Sequence, residues 1–223
     1  MTKRNDRTFK LVAIALFTAV AYIFGILPSI KVNFLSLDIK DAFITIAALY
    51  FGPLSGVLIS AVVSILEMLF GSTTGFYGMI MNFFGSAAFS AVASLIYKNK
   101  KSLCGAVIAL ACASLGMTAV MVVANLIFTP YYMGVSIQTV KDLIVPLFLP
   151  FNLVKGILNS ALVMLLYKHV SLALKRTGYA GRTDTTTKLN KNTFIVAVIA
   201  IIIVALSLAF IFVKLGGAFV IES

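Results

Sequence analysis

Apolar residues run in stretches about as long as a bilayer is thick, separated by short polar punctuation, over nearly the whole chain. Stretches of roughly 17–25 apolar residues read as spanning helices, because in hydrocarbon the backbone must satisfy its hydrogen bonds within its own segment. They occupy residues 11–28, 54–70, 79–97, 103–128, 149–167 and 194–213. A shorter piece at 41–51 would rise only about 16 Å as a helix. It is expected to reach partway across and turn at Gly52-Pro53 into the next span. The pattern predicts an all-α integral membrane protein: a basic tail at 1–10, a six-helix bundle over 11–170, a polar basic linker at 171–192 and an additional transmembrane helix at 193–214. That last helix carries only Ser207 as a polar residue and reads as a lipid-facing addition. No internal repeat is visible, so the inverted-repeat plan of many secondary transporters is not supported.

The connectors carry their own patterns. Residues 29–40 are half apolar, with alternation across Val32–Phe34 and Leu35–Leu37, which fits a lid lying over the bundle. Residues 71–78 are turn-rich, and the connector at 129–148 is long, apolar in part and contains an amphipathic stretch at 136–143. All three fall on one side, which implies a pocket opening to that side.

Composition agrees: 61% of residues are apolar and 11% charged. The net charge of +11 is distributed as the positive-inside rule demands and needs no nucleic acid. Thirteen of the 18 basic residues, in 3–10, 98–101 and 168–191, fall on the cytoplasmic side if the N-terminus is inside. Cys104 and Cys112 lie about 12 Å apart along one helix, too far for a mutual disulfide, and read as packing residues. With one histidine, His169, there is no zinc set, and no phosphate-binding loop occurs. Catalytic constellations are mostly absent from the sequence; Asp38 and Asp41 form at most a carboxylate pair at a lid–helix junction. Asp41 reads as a helix N-cap and Glu67 as a lone acid that snorkels or pairs locally.

Polar groups at membrane depth need a partner or a ligand, and four residues qualify: Asn82, Asn125, Asn152 and Lys155. Asn152 and Lys155, three apart, share a helix face. Lys155 alone could reach interfacial water or Asp142, and Asn82 or Asn125 alone could glue helices together. On three helices in the same half of the bilayer, the four together read as a ligand site. In the first helix, Ala15 and Ala19 form a small-x-x-x-small pair that admits another helix closely.

Several of these pieces together resemble a known family. They are the Ala-rich first helix, Phe34-Leu35-Ser36-Leu37-Asp38-Ile39 followed by Asp41, and Phe51-Gly52-Pro53-Leu54-Ser55-Gly56. To these are added Asn125 with Thr129-Pro130-Tyr131-Tyr132-Met133, and above all Pro150-Phe151-Asn152-Leu153-Val154-Lys155-Gly156. Over about residues 8–176 the chain resembles the substrate-binding S components of energy-coupling factor (ECF) vitamin importers, most closely the riboflavin-binding branch. The resemblance implies a six-helix bundle in a bacterial cell membrane with riboflavin as transported substrate and no cofactor. It assigns the ligand to Asn152, Lys155 and Asn125, with Leu37, Asp38 and Asn82 helping to enclose it. It also assigns the Ala15/Ala19 face to a coupling membrane subunit joined to two ATPases. The alternatives are an S component for another vitamin or precursor, a lipid-directed membrane enzyme, and a structural or assembly protein whose amides only pack helices.

Overall fold

Helices form where the apolar runs place them, and the polar punctuation marks many of their ends. The computed structural model describes residues 3–26, 29–32, 35–70, 75–99, 102–176, 191–216 and 218–220. In chain order these form α1 (Lys3–Ile26), β1 (Ser29–Val32), β2 (Leu35–Leu37), α2 (Lys40–Phe51), α3 (Pro53–Phe70) and α4 (Gly75–Asn99). Then come α5 (Leu103–Met133), α6 (Ile137–Asp142), a π-helical turn at Ile144–Phe148, α7 (Leu149–Arg176), α8 (Lys191–Lys214) and β3 (Ala218–Val220). Among the described residues, five helices are long and apolar enough to cross a membrane: Arg7–Ile26, Pro53–Phe70, Gly75–Asn99, Cys104–Met133 and Ile144–Tyr167. Within α8, the residues whose side chains are described include a shorter apolar stretch, Val198–Lys214.

The ends follow local chemistry. Ser102 caps α5 by accepting the Gly105 N–H at 3.0 Å, filling one of the donors that a helix start leaves open. The helix runs past Pro130, which removes a single donor, and stops at Gly134, whose φ of 64° is the left-handed conformation glycine adopts without strain. The long connector at 129–148 is thus largely helical: its first residues continue α5, and Ser136 caps α6 by accepting the Thr139 N–H. Residues 75–78, read as loop, are the first turn of α4; residues 71–74 and most of the linker at 171–192 lie outside the described residues.

Small residues set the helix spacing. At Gly156 on α7 an added Cβ would sit 2.8 Å from Ser114 Cβ on α5, and at Gly56 on α3 one would sit 2.8 Å from Ala48 Cβ on α2. Serines on these faces satisfy their hydroxyls on their own helices, as Ser114 does on Leu110 O at 2.9 Å and Ser90 on Ser86 O at 2.8 Å. Away from the strands, Tyr50, Tyr97 and Tyr167 join α2, α4 and α7. The Tyr50 and Tyr167 rings stack at 5.2 Å, and the Tyr97 and Tyr167 hydroxyls meet at 3.3 Å.

Over the other end lies a three-stranded antiparallel sheet of order β2-β1-β3. Its β1–β2 register pairs Ile30 with Leu37 and Val32 with Leu35, so alternate residues Ile30, Val32, Leu35 and Leu37 face one apolar cluster with Val140, Phe148, Phe151 and Leu158. The alternating lid segment is therefore a hairpin roofing α7. Helix α8 corrects a sequence expectation: Ile201, Leu206 and Val213 are exposed on one face, but Ile211 is fully buried in this roof cluster. Cys104 and Cys112 are also corrected, since both are exposed rather than packed.

Candidate functional site

The charges that hydropathy places in the connectors fold inward. Asp38 follows β2, and Lys40 and Asp41 open α2; all three are buried, as is Glu67 on α3. A buried charge is tolerated only when paired and hydrogen-bonded, and these are. Lys40 Nζ donates to both Glu67 oxygens at 2.6 Å and lies 3.7 Å from Asp38 Oδ2. Lys155 Nζ donates to Asp38 Oδ2 at 2.9 Å and lies 3.7 Å from Asp41 Oδ2. Ser86 on α4 donates to Asp41 Oδ1, and Asn82, one turn earlier, donates to Glu67 Oε2 at 3.0 Å. Gly25 admits α1 to this cluster, because an added Cβ there would collide with Glu67 Oε1 and come within 3.2 Å of Lys40 Cδ.

Three carboxylates and two ammonium groups thus form one chain of alternating sign: Glu67, Lys40, Asp38, Lys155, Asp41. Burial alone would raise the pKa of Asp38, in the connector before α2. The Lys155 and Lys40 charges outweigh that, and its carboxyl is held below the usual carboxylate value. Among the described residues, Asp38 Oδ1, Asp41 Oδ2, Thr45 Oγ1 and Ser64 Oγ are buried without a hydrogen-bond partner. The first three belong to the same short stretch of chain around the start of α2.

Two sequence readings are overturned here. Asp41 is not the N-cap: Ile39 holds that position with no side-chain cap, and the Ala42 N–H is met from α7 by Asn159 Oδ1 at 2.9 Å. Glu67 is neither lone nor local, since Lys40 lies 27 residues away in sequence. Lys155 takes Asp38, not Asp142, which instead accepts from Gln138.

The remaining predicted site residues divide. Asn82, Asp38 and Lys155 belong to the ionic chain. Leu37 packs in the roof cluster beside Phe148 and Phe151. Asn152, 2% exposed, donates to Phe148 O at 2.7 Å within its own helix. Asn125, fully buried on α5, donates to Met121 O at 2.7 Å and accepts from Thr129 Oγ1 at 2.9 Å. Ala15 and Ala19 are exposed on α1. Lys40, Ser86 and Asn159 escaped the sequence reading. For Asn159 the signal was present: it lies four residues beyond Lys155, on the face that Asn152 begins.

A helical membrane bundle with a buried chain of paired charges beneath a strand-built roof defines the class: an integral membrane protein with a polar interior site. The comparisons with known proteins are specific. Residues 9–167 match the family described as ECF transporter, substrate-specific component. The chain is 31% identical over 177 residues to the riboflavin transporter RibU of Staphylococcus aureus (strain TCH60), covering 75% of this chain and 93% of that protein. It is 27% identical over 171 residues to the riboflavin transporter FmnP of Bacillus subtilis (strain 168), covering 71% and 90%. A solved S component of a bacterial ECF transporter superposes with a TM-score of 0.66 at 29% identity, covering 76% of this chain and 99% of that one. The chain belongs to the family of ECF transporter substrate-specific components.

Proposed function

We propose that this chain captures riboflavin from outside the cell and passes it inward in concert with an ATPase-driven coupling module. One observation carries the reading: Asp38 Oδ1 and Asp41 Oδ2, both buried beside the Lys155 ammonium, have no hydrogen-bond donor among the described residues. Unfilled acceptors next to a cation match a molecule that presents hydroxyls and ring N–H as donors together with carbonyl oxygens as acceptors. Riboflavin presents all three on a neutral, largely apolar body. Asn125 and Asn152 add amides from α5 and α7, Asn82 braces Glu67, and Leu37 brings the roof against the ring. The relatives named riboflavin transporters support the same choice over another vitamin.

The exposed Ala15 and Ala19 on α1 are the face that meets the coupling membrane subunit, which joins two ATPases. Titration of the detergent-purified protein with riboflavin tests the reading, with tight binding and a retained flavin absorbance as the expected result. Failure to bind riboflavin at micromolar concentration, with binding of a different vitamin, refutes the assignment of the ligand.

A further inference from the structure

Asn159 is 1% exposed and makes three hydrogen bonds that tie two distant parts of the chain. Its Oδ1 accepts the Ala42 N–H at 2.9 Å; its Nδ2 donates to Asp38 O at 3.2 Å and to Lys155 O at 3.0 Å. The residues it joins are the two ends of the Asp38–Lys155 ion pair and the open start of α2. The amide replaces the missing N-cap of α2 from another helix, and by holding the main chain at Asp38 it fixes where that carboxylate can reach. We propose that Asn159 is a positioning residue for ligand binding, acting through the Asp38–Lys155 pair without touching the ligand. This rests on the riboflavin reading.

The test is a double-mutant cycle of Asn159→Ala with Asp38→Asn, read as riboflavin affinity and, without ligand, as thermal unfolding. Asn159→Ala is expected to weaken binding about 10- to 100-fold in the wild-type background and less than about 3-fold in Asp38→Asn. Additive losses overturn the positioning role, because a purely structural residue would weaken both backgrounds alike. If Asn159→Ala does not fold, Asn159→Asp, which keeps the acceptor for Ala42 and loses the donors, serves in its place with the same criterion. A wild-type protein that binds no riboflavin refutes the functional reading instead, and the ligand-free cycle then decides the positioning role alone.

A second inference stands on the roof. The family match ends at residue 167, yet β3 pairs with β1 in the register Ile30 with Phe219 and Lys31 with Ala218. Ile211, flanked by Leu208, Phe212 and Leu215 of the α8 region, packs into the cluster that holds Ile30, Val32, Leu35 and Leu37. A two-stranded hairpin is marginal by itself, and a third strand with a helix beneath it restrains it. The geometry points to a strap: α8 and β3 hold the hairpin closed and slow the release of bound riboflavin.

A reversible lock tests this in the full chain. Lys31→Cys and Ala218→Cys, placed in a Cys104→Ser, Cys112→Ser background, are paired across β1 and β3 and can be oxidised. Oxidation is expected to slow riboflavin dissociation at least about 10-fold relative to the reduced form, and Phe219→Pro, which places a poor strand former in β3, to speed it. Equal rates in oxidised, reduced and Phe219→Pro proteins overturn the strap. Amide exchange at Val32 and Leu37 in ligand-free protein reads the same restraint without flavin. Unchanged exchange on oxidation would overturn it even if riboflavin proved not to bind.

Discussion

Replacing Lys155 by methionine removes a cation and leaves two carboxylates, Asp38 and Asp41, facing each other in a buried site. At 2.9 Å and an effective dielectric of about 20, the Lys155–Asp38 attraction is about 6 kcal/mol before desolvation. Desolvation offsets much of this while the pair is intact. Breaking such a pair by deleting one partner costs about 3–5 kcal/mol when the survivor stays buried and uncompensated, and Lys40, 3.7 Å from Asp38, offsets part of that cost here. Asp38→Asn in the same protein removes one of the two crowded carboxylates and keeps the oxygen acceptor. The double variant Lys155→Met/Asp38→Asn should therefore lose less than the two single losses together, with a coupling of about 2–3 kcal/mol, or about 30- to 150-fold in riboflavin affinity. Titration of all four proteins, with thermal unfolding alongside, gives the cycle. Additivity within about 0.5 kcal/mol would refute the reasoning, since it would mean that the two side chains act independently.

Gly25→Ala drives a methyl group into Glu67, which two 2.6 Å bonds to Lys40 hold in place, so a melting temperature lowered by several degrees and weaker riboflavin binding are expected. Gly156→Ala pushes α7 from Ser114, whose Cα and Cβ lie within 3.0 Å of the new carbon; a loss of about 1–3 kcal/mol should appear in thermal unfolding. Asp38 titrates below its unfolded value, so its contribution to stability is complete above about pH 4 and is lost as pH falls through its lower folded pKa. The difference in ligand-free melting temperature between the wild type and Asp38→Asn is expected to stay constant from about pH 8 to about pH 5 and to shrink below about pH 4.

The spans were legible because hydrocarbon imposes one rule on every residue of a run, and 54–70 or 149–167 obey it without reference to the rest of the chain. Lys155 and the three asparagines were legible for the converse reason, as violations of that rule. What stayed hidden was the pairing. Asp38, Lys40 and Asp41 sit where a connector would be solvated, and only the folded chain brings Lys155 against a residue 117 positions earlier. Asn159 hid in the same way, since its partners are main-chain groups that no side-chain pattern records. The alternation at 29–37 announced a covering segment, but its third strand comes from residues 218–220, too far away to be anticipated.

The tyrosines at the far end have a consequence for traffic. Tyr50, Tyr97 and Tyr167 knit α2, α4 and α7 into a floor, so a cargo held at the site proposed above would have to part these rings to leave through the base. Draining through that floor would mean prising apart an aromatic triad, one pair stacked and one edge-on. Emptying the vessel by turning it over leaves the triad undisturbed.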